Sequence, residues 1–380
     1  ELNDLISEKW KPDEKKNDQG ARKEKKYDGK VPSPDQQWTA YIRDNNVYIC
    51  PAGGKQADEI ALSRDGAPGY IYEGRLQWSP DSKKLATLKT RQVNCRKIPL
   101  LESSPENQLQ PILHWRDYAK PGDMLPVSLP VLFDVEQKKQ IPLDSRLYEH
   151  QYSLFLTGWR QDSRAFTFEF NQRGHQRYIV GEVNADDGTI RHLVDEKSPT
   201  FISYINNYRY DLNDGAEMLW LSERDGWRHL YLIDGKSGEV KRQLTRGEFV
   251  VRKVDFVDKA NRKVYFMASG MKKKEDPYNL HYCSVNLDGS GFSILTPENG
   301  NHKVYFSKDR RFFIDVYSRP DFPPVSLLRR TEDTKIIATL EKCDVSDLEA
   351  KGWQMPEVFC AKGRDGKTDI WGTIYRPTNF

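Results

Sequence analysis

The chain has 380 residues, 37% apolar and 30% charged, with 59 basic against 56 acidic side chains. That length holds two ordinary domains or one large repeat-built domain, and the near-balanced charge gives no reason to expect nucleic acid or an anionic membrane as a partner. No run reaches the roughly 18 consecutive apolar residues of a membrane helix, and the scattered Cys50, Cys95, Cys283, Cys343 and Cys360 carry no C-x-x-C pair, so neither a metal nor another cofactor is expected.

In chain order, "ELNDLISEKWKPDEKK" has no apolar h-region of a signal peptide, and a start at Glu1 reads as a processed or trimmed end. Residues 1–31 form a polar, charged leader without alternation, and its basic run "ARKEKKYDGK" reads as solvated. From Pro32 the pattern changes. A turn carrying Asp or Asn precedes an alternating run six times: "SPDQQWTAYI", "SPDSKKLATL", "RQDSRAFTFEF", "LNDGAEMLWLS", "VDKANRKVYFMAS" and "SKDRRFFIDVYS". A second strand follows each run, then a Gly-containing turn such as "DGKSG" or "DGSG", then an outer strand ending in "QLT" or "ILT". Leu244 and Thr245 stand 51 positions before Leu295 and Thr296, and Asp258 stands 51 before Asp309. Period-2 strands recurring about every fifty residues predict an all-β fold of β-propeller blades, six of them visible. A string of β-sandwiches would need about 100 residues per unit.

Asp81 and Asp162 are 81 residues apart, too many for one blade, and the excess at 91–126 is rich in Pro and polar residues. It reads as an insertion projecting from a blade before the outer strand "PVLFDVEQKKQIPL". "NADDG" at 184–188 lacks the spacing of a calcium loop and reads as a hairpin turn, as does "GSGFS" at 289–293. Arg224 and Arg228 flank the Asp-Gly step of "SERDGW"; they either face a pocket or pack on Trp and Tyr rings. "CDVSDLEAKGW" offers one short helical turn. Finally "TDIWGTIYRP" alternates as a strand and runs into "TNF", which reads as the start of another sheet rather than the close of this one. No G-x-S-x-G nucleophile elbow occurs anywhere, so no catalytic serine, aspartate or histidine is assigned.

"RLQWSPDSKKLATL", the insertion ending "YAKPGD" before "LP", "LSERDGWRHLYLID" and "AKGRDGKTDIWGTIYRP" occur in one order. Together they resemble the N-terminal β-propeller of the dipeptidyl peptidase IV family, within the prolyl oligopeptidase group of serine peptidases, from about Pro32 to the end. The resemblance implies a propeller over 32–356, with blades completed to eight by upstream sequence. Residues 357–380 would be the first strands of an α/β-hydrolase domain. It further implies a non-catalytic, substrate-gating part of a serine exopeptidase acting near the N-terminus of peptides, with proline or alanine preference, secreted or periplasmic. The implied partners are peptide substrates, the hydrolase domain of the same protein, and a second copy contacted through the 91–126 insertion. The absence of an N-x-S/T sequon fits a bacterial source.

In the family a Glu-Glu pair before the "WSP" blade binds the peptide α-amino group. Here "SRDGAPGYIYEGRLQWSP" has no such pair: Ala67 and Pro68 stand near its place, and Glu73 is the nearest carboxylate. Glu73 is either an amine anchor or a surface turn residue paired with Arg75. The alternative function is a stand-alone propeller that binds a protein or glycan through its loops, because fold alone does not fix function.

Overall fold

The computed structural model describes residues 29–378, so the leader expected over 1–31 lies almost wholly outside the described residues. Six four-stranded antiparallel sheets follow one another, over 31–61, 70–141, 151–197, 209–243, 250–294 and 301–342. Each is a meander whose four strands pair in chain order, the unit from which propeller blades are made. The six turn-and-strand units read from the sequence are these six sheets. The chain clusters into two compact units. Of the described residues, the first holds 29–145 with the 162–164 and 185–188 turns; the second holds the remainder.

In the first unit, alternate residues of the first two sheets (Ala40, Val47, Ile49, Leu76, Leu85, Val131 and Phe133) form one buried cluster. In the second unit the central strands are apolar at nearly every position, because both of their faces are covered. Glu217–Ser222 and His229–Asp234 make the point. Leu219, Leu221, Leu230 and Leu232 enter one core with Val264, Phe266 and Cys283, whereas Met218, Trp220, Tyr231 and Ile233 enter another with Tyr178 and Val180. Each fully buried side chain of this size contributes about 1.5–3 kcal/mol. One glycine is dictated by this packing: a Cβ on Gly181 would stand 2.3 Å from the ring of its cross-strand partner Phe168.

A meander of four strands has two kinds of end. One, here the turn end, carries the hairpins between strands one and two and between strands three and four. The other, the crossover end, carries the hairpin between strands two and three and the link to the next sheet. The turn end repeats. Ser33, Ser79 and Ser307 each donate a side-chain hydrogen bond to the Asp two residues on, at 2.5, 2.6 and 2.7 Å. The next residue is left-handed without being glycine: Gln36, Ser82, Ser163 and Arg310 have φ of 60, 65, 65 and 57°. That residue commonly reaches back to the preceding turn. Ser82 Oγ accepts from Asp35 N at 3.0 Å and Ser163 Oγ from Asp81 N at 3.0 Å. Asp214 Oδ1 accepts from Gln161 N at 2.8 Å.

Two readings need correction. Val127–Asp134 pairs with Lys84–Arg91 and is the third strand of its sheet; Lys139–Ile141 is the outer one. Part of the insertion is itself a regular hairpin, Lys97–Glu102 against Ile112–Asp117, with Leu101, Leu113 and Trp115 exposed. Its Pro and polar content sits mostly in the connections. The strand read in the tail is Asp369–Ile374, paired with Glu357–Lys362 in a separate two-stranded sheet. Cys50 and Cys283 are buried thiols, Cys95, Cys343 and Cys360 exposed ones, and none is in a disulfide. Among the described residues no helix is long and apolar enough to cross a membrane.

Candidate functional site

The crossover end of the third and fourth sheets, within the second unit, departs most from the repeat. Between Ile190–Lys197 and Arg209–Leu212 the chain abandons alternation for "SPTFISYINNY", which makes a single turn at Tyr204–Asn206. Its backbone is fixed by Ile202 N donating to His175 O at 2.8 Å. This brings four rings together. His175, in the hairpin after Ala165–Gln172, stacks on Tyr204 at 4.4 Å and 16°, with Tyr152 at 4.6 Å and Phe201 at 5.4 Å. Phe201 is 53% and Tyr152 45% exposed, and Ile205 beside them is 81% exposed. Burial pushes the His175 imidazole below its usual range, so at neutral pH it acts as a neutral aromatic ring.

Phe201 also lines a cleft of about 140 Å³ with Glu196, Ser222, Arg224 and Arg228. Glu196 is buried and its carboxylate is saturated: Trp220 Nε1 donates at 3.0 Å, Ser222 Oγ at 2.5 Å and Arg224 Nη2 at 2.8 Å. Arg224 also lies over the Tyr231 ring at 4.7 Å. Arg228 differs. Its guanidinium donates to the backbone carbonyls of Asn206 and Arg252, and among the described residues no carboxylate closes an ion pair on it. Burial accordingly pushes its pKa down, with Glu223 opposing from a distance. The cleft thus offers a partly buried cation without a counter-ion beside an exposed aromatic shelf. Such a surface binds acceptor-rich chains with apolar side groups. Ser222 has no imidazole beside it and donates to a carboxylate, so it is not an activated nucleophile.

Of the two readings for Arg224 and Arg228, both hold for Arg224, and Arg228 faces the cleft. Glu73 belongs to the other compact unit. It sits in Tyr70–Trp78 where the register to the next strand slips between Glu73 and Gln77, with Gly74 at φ 84°. Among the described residues no ion pair links Glu73 to Arg75; Glu73 pairs with Leu88 in the ladder, and its backbone carbonyl accepts from Thr87 Oγ1 at 3.3 Å. Where a carboxylate pair would fall, Ala67 and Tyr70 exchange backbone hydrogen bonds of 2.9 and 2.8 Å across a tight turn. The carboxylate fixed in that segment is Asp65, which accepts from the Tyr72 hydroxyl at 2.8 Å and pairs with Lys89. Burial pushes its pKa up, but Lys89 and Tyr72 together outweigh burial and hold it low. Sequence reading missed Glu196, His175, Phe201 and Tyr204. Three of them lie in irregular connections, and the one signal was a run of aromatics around Pro199 without strand periodicity.

The family model described as the dipeptidyl peptidase IV (DPP IV) N-terminal region matches residues 8–324. The chain belongs to this family. Relatives of the dipeptidyl peptidase IV family include a probable dipeptidyl-aminopeptidase B of Tuber melanosporum, 25% identical over 332 residues, covering 77% of this chain and 36% of the relative. A dipeptidyl-aminopeptidase B of Aspergillus niger is 23% identical over 358 residues, covering 81% and 38%. Among solved structures, Porphyromonas gingivalis dipeptidyl peptidase 4 superposes with a TM-score of 0.63 at 19% identity, over 92% of this chain and 50% of that one. A putative dipeptidyl aminopeptidase IV of Bacteroides ovatus gives 0.58 at 22%, over 93% and 52%. The chain therefore spans a little over a third of these curated relatives and about half of these solved chains, and it shares their propeller fold.

Proposed function

We propose that this chain is the non-catalytic, substrate-gating propeller of a dipeptidyl peptidase IV-like serine exopeptidase. The observation that carries the reading is the unpaired Arg228 guanidinium beside the exposed Tyr152–His175–Tyr204–Phe201 shelf. A peptide in extended form presents carbonyls to the cation and side chains to the rings. Hydrolysis, with proline or alanine preference, belongs to an α/β-hydrolase domain of the same protein. Residues 357–380 are read as its first strands, because their hairpin pairs with none of the six sheets. Glu73, with its carboxylate in no ion pair, is the candidate for the peptide ammonium. The hairpin with exposed Leu101, Leu113 and Trp115 is the candidate contact with a second copy. A secreted or periplasmic site of action goes with this reading.

The test is steady-state turnover of Gly-Pro and Ala-Pro chromogenic peptides, and of longer peptides, by the whole enzyme and by the 380-residue chain. The chain alone should be inert. In the whole enzyme, Phe201→Ala with Arg228→Ala should raise KM for the longer peptides by on the order of tenfold, with kcat little changed. Unchanged KM for every peptide would overturn the assignment of this cleft. Turnover by the chain alone would overturn the division of labour.

A further inference from the structure

The reach of each left-handed turn residue to the preceding sheet takes a different form at the fifth and sixth sheets, where the residue is an arginine: in the fifth, Arg262 pairs with Glu217 of the fourth sheet at 2.9 Å. In the second, third and fourth sheets that residue is small and carries an oxygen, which closes over a backbone N–H of the turn before it. In the sixth it is Arg310. Its guanidinium carbon lies 3.3 Å from the centroid of the Phe256 ring, which is itself stacked on Tyr265 at 4.3 Å and 11°. A side chain of that length stands off the neighbouring turn, and a cavity of about 530 Å³ lies where the other turns close.

The polar groups around this cavity do not balance once their partners are assigned. Asp258 accepts from Asn261 N at 3.0 Å and Asn261 Nδ2 at 2.9 Å. Asp309 accepts from Ser307 Oγ at 2.7 Å and Arg311 N at 3.1 Å, and holds Arg311 Nε at 3.7 Å. These bonds keep both carboxyls below their usual range, so their acceptor capacity is largely used. Arg330 is tied to Asp333 at 3.3 Å. Glu332 is exposed at the rim. What remains unspent is donors. Among the described residues no hydrogen bond or ion pair forms at the guanidinium N–H groups of Arg310, whose backbone N–H is spent on Ser307 O at 2.9 Å, and Thr331 Oγ1 is buried in the cavity wall without a partner. A guanidinium held over a ring at 3.3 Å keeps its N–H groups at its own rim, where they form the fork that matches two carboxylate oxygens. The walls beside it are Phe256, Tyr265 and Phe312, and the volume suits a small ligand.

We propose that the turn end of the fifth and sixth sheets is a binding site for a small carboxylate with a flat apolar body, held by Arg310 and Thr331. The site is separate from the crossover cleft of the third and fourth sheets and needs no hydrolase domain, so the 380-residue chain tests it directly. The probes are benzoate and its neutral counterpart benzamide, titrated while following the arginine side-chain Nε–H resonances by NMR. Benzoate should bind at least about tenfold more tightly than benzamide, the loss expected for one charge-assisted hydrogen-bond pair. Arg310→Ser installs the small oxygen-bearing residue found at the same place in the second and third sheets. It should remove benzoate binding by about tenfold or more while leaving the unfolding midpoint unchanged or higher. Thr331→Val, which keeps the shape and deletes the hydroxyl, should weaken benzoate several-fold and gives a second reading if the first variant folds poorly. Equal binding of benzoate and benzamide, or undiminished benzoate binding by either variant, would overturn the proposal.

Discussion

The turn ends of the six sheets and the connection between the third and fourth sheets are built on opposite plans. At the turn end two short devices recur: a serine bonded to an aspartate two residues on, in the first, second and sixth sheets, and a left-handed residue whose side-chain oxygen reaches the turn before it, in the second, third and fourth. At the crossover end the fourth and fifth sheets share one bond, from Leu230 N to Thr245 Oγ1 at 3.0 Å and from Tyr282 N to Thr296 Oγ1 at 2.8 Å, but the connection between the third and fourth sheets follows no repeat. The connection carries exposed rings and a cation with no counter-ion. A repeat can be conserved in form only where its polar groups satisfy one another. Where they are left open, the residues are available for something outside the sheet.

The contrast is breakable. The largest effect is expected at the turn end of the third sheet, where buried Arg160 bonds Glu182 at 2.6 Å and Asp211 at 2.6 Å, and Arg191 also pairs with Glu182. Glu182→Ala leaves a buried guanidinium short of a counter-ion and should cost about 3 kcal/mol, read as a lowered urea midpoint. A loss below about 1 kcal/mol would mean that the turn end is not the rigid one. Next comes the latch. Ser82→Ala should cost about 1 kcal/mol for the lost bond to Asp35 N. Ser82→Gly should come out near zero, because glycine relieves the left-handed backbone by a similar amount. Two equal losses would show that φ at this position carries no strain.

Smaller still, Phe201→Ala in the isolated chain should change stability by less than about 0.5 kcal/mol, since the ring is half exposed. A larger loss in the thermal midpoint would make the aromatic shelf a structural element. The smallest effect sharpens the comparison outside the sheets. Asp365, in the turn between Glu357–Lys362 and Asp369–Ile374, accepts from Thr368 Oγ1 and from the backbone of Lys367 and Thr368. The Thr368 hydroxyl first, then those two amides, hold its carboxyl down at about 2. Because the folded value is depressed, its contribution is complete above the unfolded value near 4 and is lost as pH falls from there to about 2. A carboxyl-carbon NMR titration should show the low midpoint; one near 4 would mean that this turn does not form by itself.

Much of the fold could be read in advance because the Asp-bearing turns and period-2 runs are local signals. The 51-residue spacing of Leu244 and Leu295 reported the repeat directly. The third strand of the second sheet was misread as the outer one, because the 91–126 insertion separates it from its neighbour Lys84–Arg91. The latches were invisible, since Gln36, Ser82, Ser163 and Arg310 are not residues that announce a positive φ. The candidate site was legible only at Arg224 and Arg228, beside a hairpin signal. His175, Phe201 and Tyr204 meet through connections whose course no periodicity sets. Glu73 was singled out as the nearest acid in its stretch, yet Asp65 is the acid that the structure fixes there.

Cys283, in the core shared by the fourth and fifth sheets, has no solvent exposure, and burial pushes its thiol up to about 12. At pH 8 it therefore has almost no thiolate and no path to a reagent, while Cys95, Cys343 and Cys360 are open to alkylation. Once those three and the buried Cys50 are replaced, the slow modification of Cys283 becomes a clock. Its rate counts how often the heart of these two sheets comes apart, with no denaturant needed to make it do so.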